Sequence, residues 1–401
     1  MSAPRISPKV TAFPPSLTLA LKATVNERKA AGLPVFDFGL GETRGALRSA
    51  ISEGAIAAYR DGLTVYGDPA GLPELRAVIP RWLGADAHYR DDSVVVSTGA
   101  KQALMNVFLT VLDPGDVALL DCAPWVSYQP LALAASARPV CVTPAAGTGN
   151  YLKVDGEDLA RAIEAEPKAR LFLLNSPCNP TAQVYSADEL EELLRVCARH
   201  RIYLVLDRLY WKLTYDGLDF PEPAVDSETR PWLIQLDGLS KNFRRTGGLR
   251  IGWTLGPEDV TAGMVNLQSH YTSGPSMPAQ YAALAALTEA YDGEMRDELE
   301  SKRDLMMRHG AGLPHVELWP IPGAFYSFWD VRKCFGLRTP EGGELSSSND
   351  VARYLLDSVG VVTASGAGFE QDGFLRVTFT APDPELTAGL EAATAALGRL
   401  S

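Results

Sequence analysis

Between residues 93 and 237 the chain repeats one pattern: a short apolar run, then a helical segment. The runs are SVVVS (93–97), VALLD (117–121), PVCVT (139–143), RLFLLN (170–175), IYLVLD (202–207) and WLIQLD (232–237), and helical segments between them include 125–136, 155–165 and 186–200. Near-continuous apolar runs mark strands buried on both faces. Their alternation with helices means a mostly parallel sheet covered by helices, an α/β fold. Ligands in such sheets sit beyond the carboxyl ends of the strands.

The residues just past each run are therefore the informative ones. Ala123-Pro124-Trp125 offers a flat aromatic face, and Ser176-Pro177-Cys178-Asn179-Pro180-Thr181 an amide between prolines. IYLVLD ends on Asp207, with Tyr210 close behind, and WLIQLDG leads into Ser240 and Lys241. SVVVS is followed by Thr98-Gly99-Ala100-Lys101 and a helix. A small-residue turn at a helix N-terminus favours an anion, because free N–H groups and the helix dipole both point at it. The turn lacks the glycine pattern of a nucleotide site. Singly, a strand-end Asp is a cap, Tyr and Trp are core fillers and Asn-Pro is a turn. Together they place a carboxylate, a phenol, an amide, an indole and an amine on one rim.

The amine lies in LSKNFRRTGGLRIGW, residues 239–253. Apolar neighbours and following arginines both lower a lysine's pKa and make it a better nucleophile. Ser240 and Arg250 can hold an anion. An amine that attacks a carbonyl beside a phosphate cradle describes a pyridoxal-phosphate site; a basic surface loop is the plain alternative.

The flanks complete the plan. A Pro-rich arm runs through Pro14-Pro15, followed by a helix over 16–31 and a strand over 35–38 that leads into Gly39-Leu40-Gly41-Glu42-Thr43. Residues 45–60 are helical, and after the Tyr66-Gly67-Asp68-Pro69 turn a helix starts at Leu72-Pro73. A long helical stretch over 279–309 is expected to bridge two domains. Beyond it VELWPIP, GAFYSFWDV, VGVVTAS and GFLRVTFTA alternate with helices at 349–359 and 384–398, a smaller α/β domain; 337–349 is expected as a flexible loop. Arg376, charged within an apolar strand, is either at an edge or aimed at an anionic ligand. The expected division is 1–44, arm and part of the small domain; 45–285, the large cofactor-binding domain; and 286–401, the small domain.

Of 401 residues, 46% are hydrophobic and 21% charged, enough for a large core. A net charge of −12 argues against nucleic acid and an anionic membrane surface. No apolar run approaches the roughly 20 residues that span a bilayer. Five scattered cysteines without a CxxC pair fit a reducing, cytoplasmic setting, and the histidines show no metal-ligand spacing.

From about residue 7 to 398 the chain resembles the class I/II aminotransferases, the aspartate-aminotransferase-like branch of fold-type-I pyridoxal-phosphate enzymes. The motifs YGDPAGLPELR, STGAKQAL, LDPGD, APWVSY, NSPCNPT, LVLDRLYW, LSKNF…GLRIGW, GAFYSFWDV and GFLRV follow the family order. The resemblance implies a seven-stranded, mostly parallel sheet in the large domain. It also implies transfer of an amino group between an α-amino acid and a 2-oxo acid, by a ping-pong route. It makes Lys241 the lysine that bonds the cofactor aldehyde and moves the proton. Asp207 would pair with the pyridine nitrogen, Tyr210 and Asn179 would bind the ring oxygen, and Trp125 would stack on the ring. Gly99, Ala100, Lys101, Ser240 and Arg250 would hold the phosphate. Tyr66 would reach it from a neighbouring subunit of a homodimer. Arg376 would clamp the substrate carboxylate, under a loop containing Gly41.

The pattern departs from the family in several places. Glu42-Thr43-Arg44-Gly45 replaces the usual loop, Ala182 a glycine, Arg208 an acid, and Ser365 a proline. The interval from Lys241 to Arg250 is one residue longer, which leaves Arg244 and Arg245 as alternatives at the phosphate. Arg44 points to an acidic donor such as glutamate; Glu42 or Asp68 would instead suit a cationic one. The altered loops suggest a specialised substrate. The same residues also support elimination or oxidation, and a non-catalytic effector-binding module is the remote alternative.

Overall fold

The structure, a computed structural model, describes residues 6, 7, 11, 13 and 15–401. Most of the expected arm lies outside the described residues. The main sheet contains β2 (Val94–Thr98), β3 (Val117–Leu120), β4 (Arg138–Cys141), β5 (Ala169–Asn175), β6 (Tyr203–Asp207), β7 (Leu233–Gly238) and β8 (Ile251–Leu255), following a short β1 (Phe36–Asp37) that lies elsewhere. The order is β2-β8-β7-β6-β5-β3-β4, and β8 alone runs antiparallel to its neighbours. Side chains alternate across the sheet. Leu171 and Leu173 of β5 join the core under the Ala100–Val111 helix, while Phe172 and Leu174 join the core under the Ala187–His200 helix.

The direction of β8 matters for the site. Its first residue, Ile251, pairs with Thr98 at the end of β2, and Gly252 pairs with Gly238 at the end of β7. An antiparallel strand thus starts at the rim where its parallel neighbours end. Arg250 is delivered to that rim from the opposite chain direction.

A second, antiparallel sheet has the order β12-β13-β10-β9, from β9 (Glu317–Leu318), β10 (Tyr326–Asp330), β12 (Ala364–Ser365) and β13 (Phe374–Thr378). β1 pairs in parallel with β11 (Val361–Val362), which carries the following glycine-rich turn to this sheet. Its core includes Trp329, Phe325, Leu386 and Leu390, and also Tyr210 and Leu213 from beyond β6.

Two expectations are corrected. The stretch over 279–309 is two helices, Met277–Thr288 and Glu294–Gly310. Gly293, at φ +74°, breaks it, and Asp292 Oδ1 accepts from the Glu294 N–H at 3.1 Å to start the second helix. The 337–349 loop is a hydrogen-bonded turn: Thr339 N–H donates to Gly343 O at 2.8 Å and Arg338 pairs with Glu344 at 3.0 Å. Ser347 then caps the Ser348–Val359 helix.

Candidate active site

A cavity of about 130 Å³ lies at the carboxyl rim of the main sheet. Its lining includes Gly41, Ala100, Trp125, Asn179, Asp207, Tyr210, Lys241 and Arg376, gathered from seven separate segments. Most stand at or just past the end of a strand, whereas Arg376 is inside β13 and Ala100 begins a helix. Asn175, the last residue of β5, pairs with Asp207, the last of β6. Lys241 sits on the short Leu239–Asn242 helix directly after β7.

Asp207 is buried and its carboxylate accepts from Tyr128 O–H at 2.7 Å and from Leu209 N–H at 3.1 Å. Burial raises its pKa to about 6, against the lowering effect of those two donors. No cation pairs with it among the described residues. A buried carboxylate left in this state is set up to receive a positive group.

Lys241 has its pKa lowered to about 8, first by desolvation and then by Arg376, while Glu42 opposes the shift. Its Nζ donates to Gly41 O and lies 5.5 Å from the Phe325 ring centre. A Cβ at Gly41 would lie 2.5 Å from the Tyr326 hydroxyl, so this approach requires glycine.

Arg376, on β13, is buried. Its Nη1 donates to Asn179 Oδ1 at 3.0 Å and Nη2 to Gly39 O at 2.7 Å, leaving Nε buried without a partner. Its guanidinium packs on Tyr326 and Phe369. Asn179 is fixed in turn: its N–H donates to Asn175 Oδ1 at 2.7 Å and its Nδ2 reaches Tyr210 Oη at 3.5 Å. The Tyr210 and Tyr326 hydroxyls are 2.7 Å apart, and burial raises the Tyr210 pKa well above the usual phenol value.

Five expected residues do not line this cavity: Gly99, Lys101, Ser240, Arg250 and Tyr66. Three of them form its edge beside Ala100. The Arg250 guanidinium stands against Gly99, where a Cβ would lie 2.5 Å from Nη2; Gly99 has φ +80°. Lys101 lies 4.9 Å above the Trp125 ring, its pKa lowered by desolvation and by Arg250. Ser240 is half-buried beside Lys241, and Tyr66 is 94% exposed. Arg244 and Arg245 turn away, to Arg44 O and Gly45 O, so Arg250 is the arginine beside this helix N-terminus.

Two departures from the family pattern lie away from the cavity. Arg208 is fully buried between Trp211 and Phe220 and pairs with Glu222 at 2.9 Å. Arg44 is engaged by Glu385 at 3.0 Å, which takes up the charge expected to meet an acidic side chain.

Sequence reasoning missed Tyr128, Tyr326 and Asn175 as site residues. Tyr128 stands three residues after Trp125, at the start of a helix, and Asn175 ends its strand; both positions were visible. Tyr326 is brought in by the second sheet, which no local signal reveals. Also missed was Asp237, fully buried beneath the lysine turn. It accepts from Trp82 Nε1 at 3.3 Å, Trp211 Nε1 at 3.0 Å and Asn242 Nδ2 at 2.9 Å, and burial raises its pKa to about 7.

The fold and this rim define an α/β enzyme built for an anionic, aldehyde-bearing cofactor. The family model for aminotransferases of class I and II matches residues 34–392, and the chain belongs to that family. It is 33% identical to a probable aspartate/prephenate aminotransferase of Rickettsia bellii, over 95% of this chain and 96% of that protein. It is 32% identical to an aspartate aminotransferase of Rhizobium meliloti, over 98% and 96% of the two chains. The crystal structure of the aspartate aminotransferase from Rhizobium meliloti superposes with a TM-score of 0.94 at 30% identity, covering 100% of both chains. That of the Thermus thermophilus enzyme with maleate gives 0.89 at 30%, covering 98% of this chain and 100% of the other. The protein is a transaminase, and its family depends on pyridoxal phosphate. The unpaired Asp207, the desolvated Lys241 and the helix N-terminus beside Arg250 fit that group.

Proposed function

We propose that this transaminase exchanges an amino group between aspartate or glutamate and a 2-oxo acid, in a ping-pong sequence, as a cytoplasmic homodimer. The observation that carries the reading is the convergence of Lys241, Asp207, Tyr210, Asn179 and Arg376 on one cavity. The acidic donor is supported by the names of the relatives, not by Arg44, whose charge is taken by Glu385.

When bound, pyridoxal phosphate supplies the aldehyde that takes up the amino group and a ring that absorbs the electrons of the broken Cα–H bond. Lys241 holds it and then, as a free amine, moves the proton at substrate Cα; a pKa about 8 suits both tasks near neutral pH. Asp207 supplies the negative charge that keeps the ring nitrogen protonated, and Tyr128 keeps that carboxylate ionised. Tyr210 and Asn179 hydrogen-bond the ring oxygen. Gly99, Ala100, Lys101, Ser240 and Arg250 bind the phosphate at a helix N-terminus. Trp125 covers the ring. Arg376 takes the substrate α-carboxylate in a two-pronged bond, with Asn179 holding the guanidinium in register. Tyr66 completes the phosphate site of a second subunit, which its 94% exposure on this chain supports. The domain division at 44/45 and 285/286 belongs to the same proposal.

A panel of amino donors tests it. Each is mixed with the yellow enzyme without a 2-oxo acid, and bleaching of the cofactor band is followed together with ammonia. Aspartate or glutamate is expected to bleach the band once, with no ammonia. Continued turnover with ammonia release would favour elimination or oxidation instead.

A further inference from the structure

The loop over residues 39–45 is held to the site by its own carbonyl groups. Four cationic side chains donate to them: Arg376 Nη2 to Gly39 O at 2.7 Å, Lys241 Nζ to Gly41 O, Arg244 Nη1 to Arg44 O at 3.0 Å, and Arg245 Nε to Gly45 O. Under the reading above, one of these is claimed by a ligand, Lys241 by the cofactor; Arg376, with Nε free and two N–H groups on each terminal nitrogen, meets the substrate carboxylate and still holds Gly39 O. Bonding of Lys241 to the cofactor therefore removes the tether at Gly41 just when the loop has to cover the substrate.

Arg244 and Arg245 have no place in that chemistry, since neither lines the cavity. Both come from the interval between Lys241 and Arg250 that is one residue longer than the family pattern. Arg244 is braced from behind by Glu298, whose carboxylate lies 2.6 Å from Nη2, on the Glu294–Gly310 helix. The receiving end is shaped for it. Gly45 has φ +107°, and a Cβ there would lie 2.8 Å from Arg244 Nη1 and 2.9 Å from Cδ. Arg44, whose carbonyl receives Arg244, is itself tied across to Glu385 by its side chain.

We propose that Arg244 and Arg245 are positioning residues that strap the 39–45 loop to the lysine segment independently of ligand. They keep the loop over the substrate after Lys241 has let go of it. The inference rests on the assignment of Lys241 as the residue that bonds the cofactor.

The test uses the full-length chain with Arg244→Ala, Arg245→Ala, the double variant and the conservative Arg244→Lys. Amide hydrogen exchange of peptides spanning 39–47 is compared for cofactor-free protein and for protein with pyridoxal phosphate and maleate, a dicarboxylate that cannot be transaminated. With both added, exchange in the double variant is expected to rise roughly tenfold or more over wild type, the factor that follows from losing charge-assisted hydrogen bonds. The rise is smaller without them, because Lys241 then still holds the loop. In steady state KM for the amino donor rises while kcat falls less, and Arg244→Lys recovers part of the loss. Unchanged exchange of 39–47 in the liganded double variant would overturn the proposal. So would a rise shared by peptides from β5 and β6, which would mark general loosening. Failure of the transaminase reading would show separately, as wild-type enzyme whose cofactor band no amino acid bleaches.

Discussion

The reactivity of Lys241 can be isolated from the rest of the reaction. With a pKa about 8 in place of 10.5, roughly a quarter of the side chain is the free amine at pH 7.5, against about one part in a thousand for an ordinary lysine. That is a gain of roughly 250-fold in nucleophile. Trace acetylation of the cofactor-free protein from pH 6 to 11, read by peptide mass spectrometry, gives the midpoint for Lys241 beside internal references such as Lys22 and Lys168. The expected midpoint is about 8. Arg376→Met removes the largest charge contribution to the lowering and moves the midpoint upward. Glu42→Gln removes the carboxylate that stabilises the ammonium and moves it downward. Opposite shifts from a cation and an anion distinguish electrostatics from altered access. A midpoint near 10 in wild type, or shifts of the same sign in both variants, would refute the reasoning.

Tyr128→Phe removes a 2.7 Å donor from Asp207; a charge-assisted bond of about 1.5–3 kcal/mol corresponds to about 1–2 pKa units. Asp207 then loses its charge at higher pH than about 6, so the acid limb of pyridoxal-phosphate affinity, measured by fluorescence titration, moves up by about that amount. Asp237→Ala strands the donors of Trp82, Trp211 and Asn242, a loss of roughly 3 kcal/mol or more at pH 5 by urea denaturation at fixed protein concentration. Because the Asp237 pKa is raised to about 7, its favourable contribution in wild type fades as pH rises from about 4 through 7, and the variant's deficit shrinks over the same range. Arg376→Lys keeps the charge but loses the fork that meets both the carboxylate and Asn179; KM for the amino donor is expected to rise at least about tenfold, checked by initial rates.

Much of the site was legible because the parallel strands carry it on their ends. Asn179, Asp207 and Lys241 each follow an apolar run that could be recognised alone, and the crossover rule for such sheets puts their rims together. Arg376 stood out as a charge in an apolar strand. The seventh strand was harder, since IGWTL is short and preceded by glycines, and only pairing with both β2 and β7 reveals its reversed direction. That reversal is what puts Arg250, and not Arg244 or Arg245, beside Gly99. The roles of Arg44 and Arg208 were also beyond local reading. Glu385 lies 341 positions from Arg44, and Arg208 is enclosed by rings and a carboxylate from the following loop. Long-range ion pairs of this kind leave no periodic trace in a sequence. The 279–309 stretch reads as continuous because Gly293 is a single residue within it, and only its φ of +74° at the start of the second helix shows the break.

The central claim is that Lys241 is the amine that holds the cofactor. Borohydride reduction of the yellow enzyme, followed by proteolysis and mass spectrometry, fixes the phosphopyridoxyl group on whichever lysine carried it. The expected result is a single modified peptide bearing the group on Lys241, lost in Lys241→Ala. Modification of Lys101 or Lys212 instead, or an unchanged cofactor band in Lys241→Ala, would contradict it.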